Sequence, residues 1–230
     1  MKPQIKLAEA KTSDGSTLAL FTHDGKYSIH VNNQGLMHSQ TSYSEIILGE
    51  LGSEKLSEDD ASRVMIGGLG LGYTLKSVLS SSGEHTQIDT VELMPEIIDW
   101  NKTHLKELNE SALEDPRVNL IQEDVIKVIS QAKPETYNAI MLDVDNGPEA
   151  LVAKGNANLY NDLGIRAVRS LLKPDGRVIY WSCSQDKKFE ERLRQAGYKV
   201  KVVPAKIYKG AKRASYWLFV ADLAGGAPES

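Results

Sequence analysis

The chain has 230 residues, 41% of them hydrophobic and 25% charged, which gives enough apolar material for one substantial core, leaves too little length for two full-sized domains, and excludes a disordered or fibrous polypeptide. Its net charge of −4 argues against a general nucleic-acid binder, because phosphates call for a basic footprint, so no nucleic acid is expected as a partner. No run approaches the ~20 apolar residues of a membrane span, and no apolar leader follows Met1-Lys2-Pro3-Gln4, so the reading is a cytoplasmic protein with no membrane attachment.

The first ~40 residues alternate polar and apolar positions between the turn signals Asp14-Gly15 and Asp24-Gly25, a pattern that predicts a small antiparallel β unit. Tyr43, Ile46, Ile47 and Leu51 then recur at helical spacing, and Gly52 is expected to close that helix. The polar stretch 53–62 separates this first unit (1–52, with its linking helix) from a second (63–223) in which strands and helices alternate. Strands are predicted at 64–66, 88–91, 118–121, 137–142 and 177–181, and helices at 73–79, 95–108, 124–132, 162–172 and 189–195. Lys173-Pro174-Asp175-Gly176 reads as a turn, and 200–203 and 215–220 as a closing antiparallel hairpin. Repeated β-α units predict a doubly wound α/β sheet with ligands at the carboxyl ends of its strands.

Cys183 is the single cysteine, which rules out an intramolecular disulfide and a multi-cysteine metal site, and it is expected to be a buried strand residue. The histidines 23, 30, 38, 85 and 104 form no close pair at metal-ligand spacing, so no metal is expected. The acidic excess lies before Asp186 and a basic excess after it, including Lys199, Lys201, Lys206, Lys209, Lys212 and Arg213. That run reads as a solvated sheet edge, where lysine discourages edge-to-edge pairing, with contact to RNA or an anionic partner as the alternative.

Gly67-Gly68-Leu69-Gly70-Leu71-Gly72 follows an apolar strand and opens a helix, as a loop must when a ligand approaches its backbone. In Gly68-x-Gly70-x-Gly72 the third glycine comes one position earlier than in the dinucleotide pattern G-x-G-x-x-G, which argues against a nicotinamide cofactor. Glu92 ends the second strand, where a carboxylate can accept hydrogen bonds from both ribose hydroxyls; a helix N-terminal carboxylate is the alternative. Asp124 follows the third strand, where it can accept from an adenine amino group or cap the next helix. Together these residues suit an adenosine-bearing ligand without a pyrophosphate, and S-adenosylmethionine fits.

From about Tyr27 to Leu223 the chain resembles the spermidine synthases and their methyltransferase-like relatives. The residues that carry the likeness are Met37 to Glu45, Val64 to Gly72, Val91-Glu92-Leu93-Met94-Pro95-Glu96, Leu142-Asp143-Val144-Asp145-Asn146-Gly147-Pro148 and Leu172 to Gly176. The resemblance implies a small N-terminal β domain, a seven-stranded Rossmann-like methyltransferase sheet and a homodimer. It also implies a substrate-side tyrosine at Tyr43 and a catalytic base at Asp143, with Asp145 as a further substrate contact. The family's glycine loop holds an aspartate for the amino group of decarboxylated S-adenosylmethionine; here that position falls at Gly70 or Leu71. Its aspartate loop reads D-S-S-D-P, where this chain has Asp143-Val144-Asp145-Asn146-Gly147-Pro148.

Both reactions in this family displace a sulfonium from carbon, so the donor supplies the electrophile and the protein aligns a nucleophile, excludes water and takes a proton. Without a loop acid, the leading reading is methyl transfer from S-adenosylmethionine to a small amine-bearing molecule. Aminopropyl transfer from the decarboxylated donor is the alternative, and a nucleoside-binding relative without turnover is the second. For Asp143 and Tyr43 the competing structural readings are an Asx-type turn and helix packing.

Overall fold

The computed structural model describes residues 3–12, 15–57, 61–144 and 158–223. Strands β1 (Ile5–Lys11), β2 (Thr17–His23), β3 (Lys26–Val31) and β4 (Gln34–His38) form a four-stranded sheet in chain order, antiparallel throughout. The alternation in β2 and β3 places Leu18, Leu20, Ile29 and Val31 in the same apolar cluster as Leu48, Leu75 and Val78. Helix α1 (Tyr43–Ser53) follows and leads to the larger sheet.

That sheet is assembled from β5 (Arg63–Gly67), β6 (Gln87–Glu92), β7 (Val118–Gln122), β8 (Tyr137–Leu142), β9 (Leu172–Ser182), β10 (Tyr198–Ala205) and β11 (Tyr216–Leu223). Their order is β10-β11-β9-β8-β5-β6-β7. Strands β5 to β9 pair in parallel, while β11 and β10 close one edge antiparallel. Helices α2 (Tyr73–Ser81), α3 (Pro95–Lys102), α4 (Val125–Gln131), α5 (Asp162–Leu171) and α6 (Lys187–Gln195) connect or flank the strands. Chain order reverses beside β5, whose neighbours are β8 and β6, and such a switch point opens a crevice at the strands' carboxyl ends. The outermost strand is β10, with Lys199 and Lys201 exposed on it, as the edge reading of the basic run expects. No helix among the described residues is long and apolar enough to cross a membrane.

Four local expectations are corrected. Gly52 does not close α1 but lies inside it, because the helix packs there on β8: an added Cβ would sit 2.2 Å from the Met141 sulfur. Helix α3 stops at Lys102, well before 108, where Thr103 leaves helical geometry and the Leu105 N–H reaches back to the Trp100 carbonyl at 2.8 Å, a wide turn that buries Leu105 completely. Lys173 to Gly176 is not a separate turn after α5 but an irregularity within β9. Cys183 is exposed, since it follows the last residue of β9.

Candidate active site

The cleft begins with β5, whose Val64, Met65 and Ile66 are fully buried. At its end, the Gly68 N–H donates to the Val91 carbonyl at 2.8 Å and the Asp143 N–H to the Gly67 carbonyl at 2.8 Å, so three strand ends are tied together. Gly67 sits where an added Cβ would come within 3.0 Å of Val125 and Leu142 side chains. Gly68 has φ +98°, and a Cβ there would lie 2.1 Å from the Asp143 carbonyl oxygen, an approach that any side chain forbids. Gly70 and Gly72 also have positive φ. The loop is supported from beneath by Asn101, whose amide donates to the Gly70 carbonyl at 2.8 Å, and by Asn109, which donates to Asn101 Oδ1 at 2.8 Å. Both asparagines are buried, and sequence reading misses them because a polar residue in a helix or turn reads as solvated.

Glu92 ends β6 as expected, but its carboxylate also holds the glycine loop. Oε2 accepts from the Leu69 N–H at 3.0 Å and Oε1 from the Met94 N–H at 2.9 Å. Burial raises its pKa, and the surrounding backbone N–H groups oppose that rise. Glu92→Ala is therefore expected to lose nucleoside affinity and also stability, by ~1–3 kcal/mol for the amides left unpaired. Thermal melting without ligand checks this: an unchanged midpoint would mean that the loop does not depend on the carboxylate.

The helix-cap reading of Asp124 is observed. The residue caps α4 by accepting from the Ile126 N–H at 2.8 Å, and it borders the same chamber as Glu92, together with Gly68, Gly70, Met94, Ile97 and Val125.

Asp143 is the first residue after β8 and borders both this chamber and a second one. Its Oδ2 accepts from the Thr74 hydroxyl at 2.8 Å. Burial pushes its pKa up to about 6, with the Thr74 hydrogen bond opposing and the Glu92 charge adding to the rise. The second chamber is lined by His38, Ser44, Glu45, Trp181 and Tyr216 among others, and meets the first at Leu36, Met37, Asp143 and Val144. Trp181 donates to Ser44 Oγ at 3.2 Å, and its ring lies 4.8 Å from that of Tyr216. His38 accepts the Gln40 N–H on Nδ1 at 3.1 Å, and burial, then His30 and Lys26, lower its pKa, so it is neutral near pH 7.

Glu45 is a site residue that the sequence pattern does not announce. It projects from the first turn of α1, and its pKa is raised well above the ordinary value by burial and then by Asp143. Tyr43, the residue expected to face substrate, is half-buried at the start of α1, and among the described residues it lines neither chamber. Asp145 lies outside the described residues. The signal for Glu45 is weak, since it stands off the apolar stripe of α1 and reads as solvent-facing. It is half-buried on a helix that packs closely on α2, where an added Cβ at Gly49 would come 2.5 Å from the Ser77 Cβ.

In its chemistry, the arrangement joins a glycine-loop chamber to an aromatic, acidic one with a carboxylate at the junction. An electrophilic carbon held in the first could be attacked by a nucleophile held in the second.

Residues 40–204 match the family model described as the spermine/spermidine synthase domain. Similar curated proteins include a polyamine aminopropyltransferase of Saccharolobus solfataricus, 30% identical over 175 residues, which are 75% of this chain and 56% of that protein. Polyamine aminopropyltransferase 2 of Pseudomonas aeruginosa is 31% identical over 140 residues, 57% of this chain and 38% of that one. The chain thus spans at most about half the length of these curated relatives. Among solved structures, the spermidine synthase of Thermotoga maritima superposes with a TM-score of 0.72 at 15% identity, covering 96% of this chain and 74% of that one. A spermidine synthase in complex with the transition-state analogue AdoDATO gives 0.70 at 14% identity, covering 96% and 73%. At these identities the structural likeness speaks for the fold, a Rossmann-like methyltransferase sheet with a small antiparallel sheet beside it.

Proposed function

Because the chain belongs to the spermine/spermidine synthase family, we propose that it transfers an aminopropyl group from decarboxylated S-adenosylmethionine to a small amine. The observation that carries this reading is the charge of the cleft. Glu45, Glu92, Glu123, Asp124 and Asp143 line it, and among the described residues no lysine or arginine does. Glu123 is already paired with Lys127; the others have no cation partner among the ion pairs of the described residues. Ordinary S-adenosylmethionine would bring a carboxylate against these acids, whereas the decarboxylated donor and a protonated amine bring cations alone. The names of the curated relatives support the same choice over methyl transfer, the reading that the missing loop acid favours.

In this reaction the amine nitrogen forms a bond to the carbon attached to the sulfonium, and the carbon–sulfur bond breaks with its electron pair going to sulfur. The nitrogen sheds a proton, which Asp143 at the junction of the chambers accepts. Glu92 and Asp124 hold the ribose and adenine ends of the donor, and the glycine loop lets its backbone approach. A homodimer and the division into an N-terminal β unit and a catalytic domain belong to the same proposal.

Methyl transfer remains the second reading because Gly70 and Leu71 leave the loop without an acid. Calorimetry with both donors separates the two. The decarboxylated form is expected to bind at least tenfold tighter, since one charge-assisted hydrogen bond contributes ~1.5–3 kcal/mol. Equal or tighter binding of ordinary S-adenosylmethionine, with methylated product on incubation with an amine, would replace aminopropyl transfer by methyl transfer.

A further inference from the structure

Decarboxylated S-adenosylmethionine carries a cation besides its sulfonium: the ammonium at the end of the three-carbon arm to be transferred. A cleft of low dielectric accepts such a group only where an anion faces it. The glycine loop presents leucines and glycines there, and Asp143 is committed to the reacting nitrogen. Glu45 remains. It lines the second chamber together with Asp143, whose charge acts on it. The groups acting on it or feeling its charge are Asp143, Tyr73 and Tyr216, and no cation or hydrogen-bond donor among the described residues offsets the burial that raises its pKa. An acid confined this way costs stability in the unliganded protein unless a ligand supplies the counter-charge. Trp181 and Tyr216 also line this chamber, and aromatic rings are the side chains that attract cations. Because both chambers share Asp143 and Met37, an arm leaving the sulfonium in the first passes directly into the second.

We propose that Glu45 binds the terminal ammonium of the donor, in place of an acid in the glycine loop, and so sets the preference for the decarboxylated donor. This rests on aminopropyl transfer being the reaction. The test measures binding of three compounds to the full chain and to Glu45→Gln: decarboxylated S-adenosylmethionine, S-adenosylmethionine, and methylthioadenosine, which keeps the nucleoside and sulfur but has no charged arm. Glu45→Gln is expected to weaken the first by ~10- to 100-fold and to leave methylthioadenosine within about twofold, so that the loss is assigned to the ammonium and not to the fold. Unchanged affinity for the decarboxylated donor would overturn the assignment. So would an equal loss of methylthioadenosine, or a rise in the KM of the amine alone. If the unsubstituted protein shows no preference for the decarboxylated donor, aminopropyl transfer and the role of Glu45 fall together; if the preference is present and survives Glu45→Gln, only Glu45 is removed.

Discussion

Asp143→Asn is expected to lower turnover by ~10²–10⁴, the usual range for losing a general base, with donor affinity within a few-fold of wild type. Asparagine keeps the size of the side chain and an oxygen that can accept from the Thr74 hydroxyl, which stands 2.8 Å from Asp143 Oδ2, but it cannot take a proton from the amine. The rate of the unsubstituted protein should rise with pH through about 6, as Asp143 ionises, and the variant should lack that limb. Stability should move the opposite way. The native carboxyl is raised above its ordinary value of 3.8 to about 6, so the folded chain holds the proton more tightly than the unfolded chain. The stability this contributes is complete below about 4 and is lost as pH rises to about 6. Above that pH the ionised acid is a burden of at most ~3 kcal/mol, which asparagine relieves. A variant that turns over normally would remove Asp143 from the mechanism, and one that melts lower at pH 8 would make it a structural acid.

Gly68→Ala is expected to cost ~2–6 kcal/mol of stability and to abolish donor binding. Two effects combine. Alanine at φ +98° is in a region that L-residues enter at ~1–3 kcal/mol, and its methyl group would meet the Asp143 carbonyl oxygen at 2.1 Å, a backbone atom that cannot rotate away, at a further ~1–3 kcal/mol. Relief requires β5 and β8 to separate at the cleft, which displaces Asp143 from the junction. Denaturant unfolding and donor calorimetry check both halves. Gly25→Ala, where φ is +71° and nothing lies within 4 Å of the added Cβ, isolates the backbone part. If the two variants lose the same stability, the close approach at Gly68 carries no weight.

Much of the architecture is legible because secondary structure writes its own period into the chain. The alternation of strands and helices from Arg63, the closing hairpin and the early third glycine are local patterns, and they give the sheet and put Glu92, Asp124 and Asp143 at successive strand ends. The errors are also local. Gly52 and the Lys173-Pro174-Asp175-Gly176 segment carry strong stop signals; contact with β8 overrides the first, and β8 pairing with Leu172 and Arg177 on either side carries β9 through the second. Helix α3 ends early for a similar reason, the burial of Leu105.

By itself, then, the sequence determined the fold class, the glycine loop and the acids at the strand ends, because each follows from spacing along one stretch of backbone. Tertiary structure decided which charges face one another. Glu45 meets Asp143 because α1 packs closely on α2 and β8 through Gly49 and Gly52, and Tyr43, two residues away, falls outside both chambers. The sign of the cleft depends on side chains far apart in sequence and on the lysines and arginines that point elsewhere, and Coulomb interactions follow distance in space, which no local pattern encodes.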